Sequence, residues 1–258
     1  MQSTLEIRNV TKSYGRLKAV NDVSFTVRPH ALCGYLGPNG SGKSTTIKMI
    51  TGLLEPTLGT ILYNGQDIRE GLIEYKSRLG YVPEEPHLYS YLTGFEYLQL
   101  VGELRGLPPA RLERKIDGML RLFSLDFYKH APISSYSKGM KQKILISAAL
   151  LHNPEILIFD EPISGLDVTA ALVFRDLLAR LAREGKIVLC SSHELSFVES
   201  VCSEVVILHH GRVVASGSIE ELRQLRNVPS LEAVFSDLVA SENIENTAAQ
   251  IFELMAEA

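Results

Sequence analysis

The sequence is short of cysteine, of blocks of positive charge and of long apolar runs, and each shortage removes a class of protein. Its three cysteines, Cys33, Cys190 and Cys202, cannot all pair and lack the spacing of metal ligands. Cys33 and Cys190 lie inside apolar runs, where a thiol behaves as a small hydrophobe. A reducing, cytoplasmic compartment fits this usage. The chain has 26 Lys and Arg against 30 Asp and Glu, a formal net charge of -4. No basic run among them forms the footprint of a nucleic-acid or membrane-surface binder. The first residues, Met1 to Arg8, hold no apolar signal core. No uninterrupted apolar stretch approaches the roughly 20 residues that span a bilayer. The chain is therefore expected to be soluble by itself, so that work at a membrane requires another polypeptide to do the spanning.

What is present is enough apolar material, 45% of 258 residues, for one large domain or one domain with a sizeable insertion. The first third reads as short strands. Leu5–Val10 and Val23–Val27 alternate, and Thr60–Tyr63 is closed by Asn64-Gly65, a hairpin signal. Ala31–Leu36 instead reads as a buried strand running into a Gly-rich loop, with a helix over Ser44–Ile50 behind it. The middle third changes period. Thr93-Gly-Phe-Glu96 is a capping box, followed at helical spacing by Phe95, Leu98, Val101 and Leu104. After Pro108-Pro109 a second amphipathic helix carries Leu112, Ile116, Met119 and Phe123 on one face. Residues 86–135 thus read as a mostly helical insertion. Beyond it, helix 138–152, strand Ile156–Phe159, helix 168–183 and strand Lys186–Cys190 alternate. A hairpin over Val205–Ala215 follows, and from Ser218 the tail reads as two or three short helices.

Gly37-Pro38-Asn39-Gly40-Ser41-Gly42-Lys43-Ser44-Thr45 matches G-x-x-x-x-G-K-[ST]. Its glycines let backbone N–H groups curl around phosphate oxygens, and the helix N-terminus adds partial positive charge. Lys43 is suited to reach the β- and γ-phosphates and Ser44 to offer its hydroxyl to Mg²⁺, which makes ATP with Mg²⁺ the expected ligand. Ile156-Leu-Ile-Phe-Asp160-Glu161 supplies a strand buried on both faces that ends in two acids. Asp160 is positioned to hold Mg²⁺ through a water, and Glu161 to orient or deprotonate the attacking water. Lys186-Ile-Val-Leu-Cys-Ser-Ser-His193 repeats that pattern. In open α/β sheets ligands bind at the carboxyl ends of strands, so Gly37, Asp160 and His193 are expected to converge. His193 is then suited to hydrogen-bond the γ-phosphate.

These motifs resemble, in kind and order over about residues 4–220, the nucleotide-binding subunits of ATP-binding-cassette (ABC) transporters. The resemblance implies an α/β fold: a RecA-like P-loop NTPase core, an antiparallel β subdomain, and a helical signature subdomain over about residues 86–152. Residues 221–258 would form a short helical extension. It implies that Tyr14 stacks on adenine and that Ser164-Gly-Leu-Asp167 contacts a partner subunit. Tyr136-Ser137-Lys138-Gly139-Met140 stands where the family usually has Leu-Ser-Gly-Gly-Gln. Ser137 and Gly139 are retained, and in the family they grip ATP bound to the opposite subunit, so a second cassette, identical or paralogous, is implied. Glu84 stands where the family keeps a glutamine that touches Mg²⁺. A carboxylate can also ligate Mg²⁺, at the cost of added negative charge. The strings Tyr-Val-Pro-Glu84-Glu-Pro and Tyr-Ser-Lys-Gly-Met, together with Ser230–Phe235 in the tail, are similar to the bacterial ABC-2 type, drug- or polymer-export branch. The implied protein is an ATP-hydrolysing subunit on the inner face of the cell membrane, docked on separate transmembrane permease subunits and without nucleic acid. A soluble ABC ATPase acting in assembly or regulation is the alternative, and a P-loop kinase would lack the signature element.

Overall fold

In a computed structural model, residues 3–239, 250 and 252–255 are described. The chain begins with the antiparallel pair β1 (Leu5–Tyr14) and β2 (Leu17–Val27), then enters the core on β3 (Leu32–Leu36) and passes through the loop into α1 (Lys43–Ile50). β4 (Leu58–Tyr63) and β5 (Gln66–Asp67) return to the first sheet, and α2 (Leu72–Ser77) leads to β6 (Leu79–Val82). Three helices follow, α3 (Gly94–Leu104), α4 (Pro109–Leu122) and α5 (Lys138–Leu150), before β7 (Ile156–Asp160). Then come α6 (Val168–Arg183), β8 (Ile187–Ser191), α7 (Leu195–Val201), the hairpin β9 (Glu204–His209) and β10 (Arg212–Ser218), and α8 (Ile219–Arg226) and α9 (Leu231–Val239).

Two sheets result. One has the order β2-β1-β4-β5 and is antiparallel; the other runs β10-β9-β3-β8-β7-β6. In the second, β9, β3, β8, β7 and β6 are mutually parallel, with β10 antiparallel at the edge. Every residue of β3, β7 and β8 is buried, as parallel strands covered on both faces require. Because β3, β8 and β7 are neighbours, their carboxyl ends open side by side, and the loop, Asp160 and His193 all follow from that edge.

Three apolar cores hold this arrangement. The first packs β1, β2 and β4 with α1 against one face of the parallel sheet, with Phe25 stacked on Tyr35 at 5.3 Å between ring centroids. The second covers the opposite face with α5, α6, α7, α8 and α9, with Phe159 edge-on to Phe174 at 5.1 Å. The third lies among α3, α4 and α5. α5 belongs to two of them: Leu145, Ile146 and Ala149 face the sheet, while Ile144 and Ala148 face α3 and α4. All three cysteines are free and buried.

The capping box at α3 forms on both sides, with the Thr93 hydroxyl accepting from Glu96 N–H and Glu96 accepting from Thr93 N–H. The expected apolar stripe on α3 needs one correction. Leu104 is 79% exposed, and the buried positions are Gly94, Leu98 and Gly102. A side chain at Gly102 would overlap the Leu112 methyls, and one at Gly94 the Tyr136 hydroxyl, so beside Leu98 the contact face includes two positions with no room for bulk. On α4 the seam is Leu112, Ile116 and Leu120, with Met119 and Phe123 at its margin. α2 and α7 carry no clear period and were not expected. In the tail, α8 and α9 are formed; the remainder of the expected helical extension at 240–249, 251 and 256–258 lies outside the described residues, as do Met1 and Gln2.

The junction after α5 gives a pH-dependent stability. The His152 ring has Nε2 3.1 Å from the carbonyl oxygen of Leu79. Burial, and then the nearby charge of Arg105, push its pKa down to about 4. An unfolded ring takes a proton near pH 6.5, so between about pH 6.5 and 4 the unfolded chain binds the extra proton, and stability falls as the pH falls through that window. With the ring half-exposed and partly screened, the loss is about 1–2 kcal/mol. His152→Gln keeps a donor but cannot titrate. Denaturant titrations at pH 7 and pH 5 should show a smaller pH difference for the variant, and an unchanged difference would refute the assignment.

Candidate active site

The Gly-rich loop is held by its neighbours rather than by its own contacts alone. Gly211 N–H, from the turn between β9 and β10, donates to Ser41 O at 2.9 Å, and Ser41 N–H donates to Pro38 O at 3.1 Å. A Cβ on Gly42 would sit on the carbonyl oxygen of Ala19, and one on Gly37 on that of Leu208. The loop is thus wedged between β2 and β9. Lys43, the first residue of α1, is buried and folds back, its Nζ donating to Gly37 O at 2.6 Å and Pro38 O at 3.2 Å. Burial lowers its pKa, and the charges of Glu161, Asp160 and Glu84 pull it back up. The Ser41 hydroxyl is buried with no partner, an arrangement costly unless a ligand completes it.

Asp160 ends β7 and Glu161 follows it in the turn beyond; they are 3% and 6% exposed. Burial raises the Asp160 pKa, reinforced by Glu84 and Glu161 and opposed by the Ser191 hydroxyl and Lys43. Glu161 has a left-handed backbone, φ 50°, a conformation that costs a non-glycine residue about 1–3 kcal/mol and is found preferentially at functional sites. Its Oε2 lies 2.8 Å from Nδ1 of His193. A carboxylate oxygen can only accept, so Nδ1 carries the proton and Nε2 remains free for another partner.

A cavity of about 350 Å³ collects Asn39, Gly40, Gly42, Lys43, Ser44 and Thr45 of the loop together with Glu84, Asp160 and Glu161. Glu84 is thereby brought to the phosphate loop from the far end of β6. Gly37, Pro38 and Ser41 lie behind this lining, and His193 reaches it through Glu161. Tyr14 is outside it, 52% exposed at the end of β1 with the Lys12 ammonium 5.6 Å above its ring. The donors suit a small hard cation: hydroxyl and carboxylate oxygen around a site that keeps room for phosphate and water. Among the described residues no three His, Cys, Asp or Glu side chains close into a ready metal cage.

The signature residues stand apart from that cavity. Ser137 caps α5, accepting from Met140 N–H at 3.2 Å, and is exposed. Gly139 packs so closely on the loop before α6 that a Cβ would overlap Gly165 O. Asp167 caps α6, accepting from Ala170 N–H at 2.8 Å, and pairs with Lys143 at 2.9 Å. Reading the sequence missed the ties that join these two caps: Lys138 Nζ to Ser164 Oγ at 2.8 Å and Gln142 Nε2 to Pro162 O at 3.0 Å. It also missed Ser191, which touches both Asp160 and Glu161. None of these contacts has a motif, because each joins residues whose partners lie 20 or more positions away.

Residues 20–164 match the protein family described as ABC transporter. Among curated relatives, the ABC transporter ATP-binding protein NatA of Bacillus subtilis is 38% identical over 220 residues, 85% of this chain and 89% of that protein. The bacitracin transport ATP-binding protein BcrA of Enterococcus faecalis is 36% identical over 249 residues, 96% of this chain and 80% of that protein. A solved structure of an ATP-binding subunit of an ABC transporter superposes with a TM-score of 0.85 at 37% identity, covering 91% of this chain and 98% of that one.

Proposed function

The chain belongs to the ATP-binding subunits of ABC transporters, and from that premise we propose how its own residues bind and hydrolyse ATP. It is a transport-coupled ATPase, and its likeness to NatA and BcrA fits the drug- or polymer-export branch. The observation that carries the site assignment is the single cavity joining the Gly-rich loop to Glu84, Asp160 and Glu161.

Lys43 exchanges its bonds to Gly37 O and Pro38 O for the β- and γ-phosphates, while loop N–H groups surround the phosphate oxygens. Tyr14 stacks on the adenine. Ser44, Glu84 and Asp160 would hold Mg²⁺, which would supply positive charge to offset the negative charge of the phosphates. Glu161 accepts a proton from the attacking water as its oxygen bonds to the γ-phosphorus and the bond to the β-phosphate oxygen breaks. His193, tied to Glu161, presents Nε2 toward the γ-phosphate. Residues 4–220 form the ATPase domain, with the helical layer at about 86–152 as its signature part and 221–258 as an extension.

The exposure of Ser137 supports a composite site: it and Gly139 approach the phosphate of a second cassette, as Asp167 does its loop. No described helix is long and apolar enough to cross a membrane. Separate permease subunits dock on the helical layer and bring the cassette to the inner face of the membrane. Mg²⁺-dependent ATPase activity of the purified chain, together with co-purification of a multi-span membrane protein, tests this reading; neither result appearing would overturn it. Gly139→Ala separates the two halves of the site. Its Cβ forces α5 away from Gly165 while leaving the phosphate loop alone. ATP affinity should stay within about threefold and kcat should fall at least about 10-fold, the scale of a lost transition-state hydrogen bond. Parallel losses in both would argue that Gly139 serves the same half as Lys43.

A further inference from the structure

Ser191 is the last residue of β8, pairs with Asp160 across the sheet, and is fully buried. Its hydroxyl donates to Asp160 Oδ1 at 2.5 Å and accepts from Glu161 N–H at 3.2 Å; its carbonyl oxygen accepts from the same N–H, also at 3.2 Å. One residue therefore fixes the side chain of the first acid and the backbone of the second. A serine hydroxyl has a single proton. Given to Asp160, that proton leaves the oxygen free to receive the Glu161 amide, so both roles are filled at once. Nothing in the apolar run Ile187–Cys190 asks for a polar group there, and an unpaired hydroxyl at full burial would be costly.

From this geometry we infer that Ser191 is a positioning residue for ATP hydrolysis, which holds Asp160 in the rotamer that presents Oδ2 to the cavity and pins the left-handed turn that aims Glu161. Holding Oδ1 on one side chooses which carboxylate oxygen meets the metal. Holding the Glu161 amide stabilises a backbone conformation that a glutamate adopts reluctantly. Productive geometry in such sites is sensitive to displacements of about 1 Å. The inference rests on the reading of Asp160 and Glu161 above, which loss of turnover in Glu161→Gln would test separately.

Ser191→Thr and Ser191→Val differ in shape by almost nothing, and only the first keeps a hydroxyl. With the full-length protein, Ser191→Thr should hold kcat within about threefold of the parent. Ser191→Val should lower kcat about 10–100-fold with KM for ATP little changed, and raise the Mg²⁺ concentration for half-maximal rate several-fold. A readout independent of turnover is the thermal shift: ATP with Mg²⁺ should stabilise Ser191→Val markedly less than Ser191→Thr, while ATP with EDTA stabilises both alike. A role in packing alone would lower the Tm of the free protein and leave the Mg²⁺ requirement unmoved. Equal Mg²⁺ dependence in the two variants, or equal kcat, overturns the inference. Should Ser191→Val fail to fold, Ser191→Ala takes its place in the same comparison, with the same two outcomes deciding.

Discussion

Glu161→Gln is expected to lower kcat for ATP about 10²–10⁴-fold, the usual contribution of a positioned general base, while ATP still binds. The amide is isosteric and can accept from His193 Nδ1, where Glu161 Oε2 now lies 2.8 Å away. Its backbone keeps both contacts to Ser191. What it cannot do is take a proton from water. With hydrolysis blocked, nucleotide-loaded dimers should accumulate, visible as a shift in size-exclusion chromatography with ATP that is absent with ADP. Turnover within a few-fold of the parent would remove Glu161 from the chemistry.

The second large effect is at the phosphate loop, and it comes as an order rather than a single value. Gly40 and Gly42 both have left-handed backbones, φ 77° and 106°. A Cβ on Gly40 meets nothing within 4 Å, whereas one on Gly42 lands on the Ala19 carbonyl of β2. Gly40→Ala therefore carries only a conformational cost of about 1–2 kcal/mol, and its Kd for ATP should rise no more than about 30-fold. Gly42→Ala adds a clash with backbone that cannot swing aside, exactly where the loop hands over to Lys43. There the Kd should rise at least about 100-fold, since displaced charge-assisted hydrogen bonds are worth about 1.5–3 kcal/mol each. Isothermal titration of both variants decides it. Equal losses would show that loop flexibility, not the wedge against β2, governs binding.

The parts of the site legible in the sequence were those in which chemistry and backbone demand are local. The loop at 37–45 announces itself because bare backbone must meet phosphate. Asp160 and Glu161 stand out because acids at the end of a fully apolar strand would be costly without work to do. Other features depended on distant partners. On α3, Phe95, Leu98 and Val101 pack into the helical core as expected, but the stripe also contains Gly94 and Gly102, whose lack of a side chain is the very thing that lets Tyr136 and Leu112 approach. Hydrophobic periodicity counts bulk, and so it pointed to Leu104. α2 escaped notice because in six residues only Tyr75 is buried. Ser191 reads as an ordinary polar strand end until β7 is laid beside β8.

The position of α5 sets a limit on how this protein can be taken apart. Its two faces close two different cores, and its first turn carries Ser137 and Gly139. A helical layer excised before residue 138 would leave Ile144 and Ala148 bare; one excised after residue 150 would uncover β6, on which α5 packs at Gly80. Neither cut yields a clean graft. An engineer who wished to lend this cassette another member's docking surface would have to splice along the length of a helix, exchanging Ile144 and Ala148 while sparing Leu145 and Ala149, instead of trading segments end to end.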